Sequence, residues 1–165
     1  MFRTGLVRGA AALSILVAFA GEHVASAAAR DVTAIDPSQC SAIARTVGQA
    51  VGIALRTTVG KPDLPGTRGI ACVMSGHATG LTLEFEKVRQ KLEASLTRAG
   101  WNAVSDFDAD GPDSTLKGFA KASRRVVYAL STEPPSGTCE NVPVADCQVP
   151  RRRWIWTLTL SAFVQ

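Results

Sequence analysis

The sequence predicts an α+β fold: an antiparallel sheet of four to five strands with one or two helices packed on one face, a two-layer sandwich. Three observations favour this class. Apolar residues recur at helical spacing over residues 85–99, a hairpin pattern covers residues 116–132, and residues 153–160 alternate apolar and polar side chains. The helix and the strands each carry one apolar face, so we expect these faces to be buried against each other.

The first predicted element after an irregular start over residues 28–36 is a helix. Pro37 suits the first position of a helix, and Ile43, Val47 and Val51 share one face of it. We therefore expect this helix to cover the sheet together with a longer one that follows.

The next segments are short. Residues 51–59 fit a helix or a strand, because their alanines and glycine weaken both patterns. Residues 60–66 are typical of a turn, and residues 69–75 of a buried strand.

The second helix has the clearest pattern in the chain. Its apolar face consists of Phe85, Val88, Leu92, Leu96 and Ala99. Thr82 is expected to cap its start, and Gly100 to end it in the left-handed conformation. Trp101 then lies where it can pack back on Leu96.

Three strands are predicted after this helix. Residues 116–121 and 125–132 flank a short turn and form a hairpin. In residues 153–160, Trp154 and Trp156 point to the same side as the leucines that follow, and threonines point to the other side. This period of two indicates a half-buried antiparallel strand with both tryptophans in the core.

Residues 1–27 have the organisation of a cleaved signal peptide. Arg3 and Arg8 precede the apolar run Leu13–Ala20, and Ala25–Ala27 supplies small residues for cleavage. The apolar run is shorter than the roughly 20 residues of a membrane span. We therefore expect a secreted or periplasmic protein with no membrane span after cleavage.

The remaining residues, 28–165, are expected to form one α+β domain. The whole chain has 18 basic and 14 acidic residues. Removing Arg3, Arg8 and Glu22 with the signal peptide leaves 16 and 13, a balance of +3. This surplus is too small to indicate a nucleic-acid partner.

All four cysteines follow the predicted signal peptide, and an even number in an exported chain indicates disulfides. Of the three pairings that four cysteines allow, we favour Cys139 with Cys147, which are close in sequence across a connection between strands. This leaves Cys40 to pair with Cys72.

An acidic segment resembles the first half of a calcium-binding loop. Asp106, Asp108 and Asp110 alternate before a glycine, and Ser114 falls on the ninth position. The twelfth position is Lys117, where a calcium loop needs a glutamate. Weak calcium binding by this segment is therefore one alternative, and an acidic turn is the other interpretation. A melting temperature that millimolar calcium does not change would exclude calcium binding. No other cofactor is expected.

The connection over residues 133–150 is rich in proline, and its disulfide would close a small rigid loop. Its exposed tip is a candidate binding surface for another exported or envelope protein, formed by Val142, Pro143 and Val144. The simpler interpretation of this segment is a connection that is closed by a disulfide and therefore resists proteolysis.

Three arginines lie directly after this connection and form a second candidate binding surface, Arg151, Arg152 and Arg153. Guanidinium groups beside tryptophans bind anions or stack on rings. At the start of a strand, however, they more often keep its edge soluble.

No catalytic residue is assigned from the sequence. His77 is the one histidine after the predicted cleavage site and follows Ser75 in a glycine-containing segment, which we interpret as a loop. No third group completes a triad. A small hydrolase with a site near His77 is therefore kept only as the second alternative, after weak calcium binding. The sequence favours an exported, disulfide-stabilised, non-enzymatic binding or envelope-accessory protein.

Overall fold

The computed structural model describes residues 29–139 and 142–165. The predicted signal peptide lies outside the described residues. The elements in chain order are β1 (Arg30–Ala34), α1 (Pro37–Val51), β2 (Arg56–Gly60), β3 (Thr67–Gly69), β4 (Ala71–Ala78), α2 (Phe85–Arg98), β5 (Asn102–Gly111), β6 (Ser114–Lys121), β7 (Arg124–Glu133) and β8 (Ile155–Val164).

The fold is mixed α and β, as predicted, and its sheet has eight strands. The main path runs β2-β4-β8-β7-β6-β5, with every neighbouring pair antiparallel. Strand β1 pairs antiparallel with β8 and parallel with β3. The central strand is β8, which separates β2 and β4 on one side from β5–β7 on the other.

The predicted number of four to five strands is too low, because three strands give no alternating apolar signal. Strands β1 and β3 are only five and three residues long. Strand β5 contains the aspartates for which the sequence predicts an acidic turn or a weak calcium site, and Phe107 alone within the strand is buried. It pairs with β6 alone, so the aspartates lie on an edge strand and stay accessible.

Both helices form where the sequence predicts them. Asp36 caps α1 by accepting a hydrogen bond from the Ser38 amide at 2.8 Å. The predicted cap of α2 at Thr82 is wrong, because the helix begins after Glu84, which makes no side-chain cap. The predicted end is confirmed: Gly100 has a φ of 82°, and the Trp101 amide donates to the Leu96 carbonyl at 3.1 Å.

The main core lies between the two helices and one face of the sheet. Val47 from α1, Val88 and Leu92 from α2, and Leu158 and Leu160 from β8 are all fully buried in it. The helix face differs from the prediction at its end, where Ser95 is buried and Ala99 is exposed. A smaller apolar cluster on the other face joins β1 to the sheet through Val32, Val127 and Phe163.

Both predicted disulfides are confirmed. Cys40–Cys72 joins α1 to β4 inside the core, and Cys139–Cys147 closes the connection between β7 and β8. Two disulfides are compatible with an exported, disulfide-stabilised domain. Among the described residues, no helix is long and apolar enough to cross a membrane.

Two local predictions need correction. His77 belongs to strand β4 and not to a loop, because the pairing of β4 with β8 continues through His77–Thr157 to Ala78–Trp156. Residues Arg151–Arg153 form a single 3₁₀ turn, and the strand begins after it at Ile155.

Candidate functional site

A cleft of about 750 Å³ opens where helix α2 begins. One wall is the segment Thr82–Glu86 with Arg89, and the opposite wall is the β5–β6 turn, Asp110–Asp113. Lys117, Thr132 and Trp156 from three adjacent strands form the floor, and Arg151 lies at the edge. The cleft thus lies between the segment that leads into α2 and the β5–β6 turn, over residues of β6, β7 and β8.

Two residues of the floor, Trp156 and Thr132, each hold a polar atom that is closed to solvent and has no partner among the described residues. Trp156 and Thr132 are directly opposite each other on β8 and β7, with relative exposures of 3% and 6%. Three buried side-chain polar atoms lack a hydrogen-bond partner among the described residues, and two of them are Trp156 Nε1 and Thr132 Oγ1. Leaving such a group unsatisfied costs roughly 1–3 kcal/mol, so their pairing in one cleft calls for an explanation.

The apolar part of the cleft is aromatic. The Phe85 ring stacks on the Trp156 indole, with 6.0 Å between ring centroids and 13° between ring planes. Phe85 is the first residue of α2, so the start of the helix fixes the position of this ring pair. Trp156 is only 3% exposed, so the aromatic surface that the cleft offers to a ligand is that of the half-buried Phe85.

A buried tyrosine orients the arginine in the helix wall. The Tyr128 hydroxyl donates to Glu93 Oε1 at 2.6 Å, and Arg89 donates to the same atom at 2.6 Å. Arg89 also donates to both carboxylate oxygens of Glu86, at 2.6 and 2.8 Å. Burial, and then the hydrogen bond to Glu93, raise the pKa of Tyr128, so it stays protonated as a donor.

The floor lysine is held by two aspartates. Lys117 Nζ lies 2.8 Å from Asp110 and 3.4 Å from Asp108. Thr115 also donates to Asp110, at 2.6 Å. The hydrogen bond from Lys117 and then that from Thr115 lower the pKa of Asp110, and Asp110 in turn raises the pKa of Lys117. Both groups are therefore charged at neutral pH.

Arg151 forms the outer edge of the cleft. Its guanidinium lies 3.6 Å from the centre of the Trp154 ring and donates to Asp113 at 2.9 Å. Asp113 is well covered, with 17% of its side chain exposed. The carbonyl of Arg152 accepts the Gly80 amide at 2.9 Å, which ties this turn to the loop before α2.

No family model, curated protein or solved structure matches this chain.

The structure does not gather the residues of the predicted calcium loop. Asp108 and Asp110 face Lys117, whereas Asp106 lies 3.8 Å from Arg30, and Ser114 begins the next strand. No group of three or more His, Cys, Asp or Glu side chains suited to a metal occurs in the part of the chain that the structure describes. Calcium binding stays a prediction, with the Lys117 ammonium already at two of the three aspartates.

The predicted binding surfaces lie on the exterior. Val142 and Val144 are exposed, by 47% and 41%, and Pro143 between them is exposed too. Arg152 and Arg153 are also exposed, but only Arg151 of the three arginines lines the cleft. The predicted arginine surface is therefore divided: Arg151 belongs to the cleft, and Arg152 and Arg153 lie outside it.

His77 lies outside the cleft. It is exposed on the face of the sheet opposite the helices, and its Nδ1 is 3.0 Å from Thr157 Oγ1. It does not line the cleft, and no carboxylate is bonded to it among the described residues.

Sequence reasoning missed the cleft residues Arg89, Lys117, Thr132 and Trp156 as a group. Trp156 was correctly placed in the core, but a missing hydrogen-bond partner is a tertiary property. The one available signal in the sequence is a tryptophan in a predicted buried strand, because its indole N–H needs a hydrogen-bond acceptor when it is buried.

Proposed function

We propose that the protein is an exported, non-enzymatic binding protein that takes a small polar ligand in the cleft at the start of α2. The observation that carries this proposal is the cleft itself, whose charged side chains already have partners and whose floor residues Trp156 and Thr132 hold two unpartnered polar atoms that are closed to solvent in this structure. A ligand that opens the floor would place an oxygen where it accepts from the Trp156 indole and bonds to the Thr132 hydroxyl, and would recover the free energy that these groups cost.

The surrounding charges support binding more than catalysis. Arg89, Lys117 and Arg151 each have a carboxylate partner, as described above, so they are held in place before a ligand arrives. Preformed groups lose little conformational entropy on binding. A general acid or base, by contrast, needs a pKa near the working pH, and the shifts of Asp110 and Lys117 move both groups away from neutrality.

Trp156 offers a direct test by nuclear magnetic resonance. The chain has three tryptophans, each with one indole N–H signal that a Trp→Phe variant assigns. We expect some members of a library of small polar fragments to shift the Trp156 signal. The Trp154 signal should stay in place, because its Nε1 already donates to the Val149 carbonyl at 2.9 Å.

The Thr132→Val variant tests whether a loss of fragment binding is independent of the stability of the fold. This change removes an unsatisfied buried hydroxyl, so the free energy of unfolding should stay the same or rise, while fragment affinity falls about tenfold. Thr159→Val, on the opposite face of β8, is the matched control and should leave affinity unchanged. A Trp156 signal that no fragment moves, or equal affinity in Thr132→Val, would contradict the proposal.

A second candidate function is capture of another exported protein by the loop closed by Cys139–Cys147. The observation that favours it is the exposure of Val142 and Val144 on a disulfide-closed loop. Replacing both valines by serine, or Arg152 and Arg153 by glutamate, is expected to abolish partner capture from a periplasmic or extracellular extract. Capture that survives both changes removes this surface from consideration, and Val59→Ser on the exposed edge strand β2 is the control.

A further inference from the structure

We infer that the open edge of the sheet at β2 is a docking site for an acidic, extended segment of another protein, which adds to the sheet as a further strand. The residues of this site and those of the cleft are different, so the two can be tested separately. Three features support the site: an edge that nothing blocks, a groove beside that edge, and a surface whose charges are all positive.

Strand β2 has one free edge. It pairs with β4 and with no other strand among the described residues. Its five residues keep one continuous register with β4 and include no proline. The edge at the other end of the sheet is different, because the register of β5 shifts between Val104 and Ala109, and such irregularities hinder the pairing of a further strand. The backbone groups on the outer side of β2 are therefore available to an added strand.

The side of β2 that faces the helices carries an exposed apolar residue. Thr57 and Val59 pair with Met74 and Cys72, which are buried in the main core, so all four point to the helix side of the sheet. Val59 is nevertheless 61% exposed, the largest value for a bulky apolar side chain in the part of the chain that the structure describes. An added strand would cover Val59 with a side chain of its own.

A groove of about 560 Å³ lies between α1 and the start of β2. Two small residues of the helix, Ala44 and Gly48, line it together with Thr57, and Arg45 lies beside them. Side chains of an added strand alternate between the two faces of the sheet, so those on the helix side would enter this groove. A carboxylate there would meet the Arg45 guanidinium.

The charges around this edge are all positive. Between Asp36 and Asp63 the sequence has three basic residues and no acidic one, and β4 adds no acidic residue. The three are Arg45 in the groove, Arg56 at the start of β2 and Lys61 directly after its end. All three are exposed, and none of them forms an ion pair among the described residues. Carboxylates of an added strand can therefore pair with them without displacing a partner, unlike in the cleft.

A second copy of this chain is a poorer fit for the edge. If two β2 strands pair antiparallel along their whole length, Arg56 of each copy lies near Lys61 of the other, and the like charges repel. Strand β5 offers carboxylates, but Asp108 and Asp110 already pair with Lys117 and the register shift interrupts the strand. Pairing of β5 with β2 would also repeat from copy to copy and build an open fibre. An acidic strand of a different protein meets none of these obstacles.

The experiment is a titration of the ¹⁵N-labelled protein with a library of peptides of about eight residues, the length of an ordinary strand, in which glutamate is mixed with valine, leucine and threonine. Some members are expected to shift the amide signals of residues 56–60. Raising NaCl from about 50 to about 500 mM should weaken their binding at least about threefold. The same library with lysine in place of glutamate should not bind. N-methylation of one set of alternate residues in a bound peptide should abolish binding, and methylation of the other set should not, because only one set donates to β2.

Variants of the protein test the charges directly. The double variant Arg45→Glu/Arg56→Glu should weaken peptide binding at least about tenfold, because two attractions become repulsions. Lys91→Glu, which changes an exposed cation on α2, is the matched control and should leave the Kd within about twofold. Val59→Ser should weaken peptide binding but leave capture by the loop closed by Cys139–Cys147 unchanged, so the two surfaces are distinguished. The substituted side chains are all exposed, so the variants should unfold at the same denaturant concentration as the parent protein.

Three results would overturn the inference. The first is a library in which no peptide shifts the signals of residues 56–60. The second is equal binding of the glutamate and lysine libraries. The third is a shift of these signals on concentrating the protein alone, with self-association in sedimentation, which would make a second copy the occupant. None of these results bears on the cleft, whose test is the Trp156 signal.

Discussion

Replacing Cys40 and Cys72 together by alanine is expected to lower the free energy of unfolding by about 4 kcal/mol. The two residues are 32 positions apart, and the bond between them restricts the unfolded chain over that whole loop. The loss is large against the roughly 5–15 kcal/mol that stabilises a typical domain. Both positions are buried in the main core, where the bond holds α1 against β4.

The matched control is the double replacement of Cys139 and Cys147. Their loop spans only eight positions, so the expected loss is smaller, about 2.5 kcal/mol. Denaturant unfolding of both variants and of the reduced parent protein measures the difference. An equal loss in the two variants, or a larger one for Cys139 and Cys147, would contradict the argument from loop length.

The second large effect concerns Tyr128, which should not ionise while the protein is folded. Tyr128 is fully buried, and burial together with the Glu93 carboxylate raises its pKa above the usual value of about 10. In the unfolded chain the phenol ionises near that usual value. The stability that the raised pKa contributes is therefore present below about pH 10 and is lost as the pH rises further.

Tyr128 is the only tyrosine in the chain, so absorbance at 295 nm reports it alone. We expect the tyrosinate signal to appear together with loss of the circular dichroism of the fold. Ionisation that precedes unfolding would show that the hydroxyl is accessible to water. Tyr128→Phe should lack the signal and lose about 1.5–3 kcal/mol, because it removes a hydrogen bond to a charged acceptor.

The elements that could be predicted from the sequence are those with a local signal. Helix α2 has one apolar face and a glycine at its end, and the β6–β7 hairpin and β8 show alternation or tight turns. Cys139–Cys147 also followed from a short spacing, and Cys40–Cys72 was then the pairing that remained. Except for Cys40–Cys72, each of these features depends on residues close together in sequence.

The parts that could not be predicted depend on contacts between distant segments. Strand β5 has polar residues on both faces and is a strand only because β6 pairs with it. The sequence shows the aspartates of the calcium-like pattern, but in that pattern Lys117 is only a residue that does not fit the twelfth position. In the structure Lys117 is the partner of Asp108 and Asp110. The cleft itself forms from residues of α2, β6, β7 and β8, whose meeting no local pattern encodes.

The central place of β8 has a consequence for how the chain folds. Strand β4 on one side and β7 on the other both pair with β8, so the two halves of the sheet meet only through it. Until β8 is available, β4 and β7 each present an open edge, and neither half is complete. Folding is therefore expected to be slow and cooperative, dominated by contacts between residues far apart in sequence. The sheet is therefore expected to close in one step, when β8 pairs with both β4 and β7.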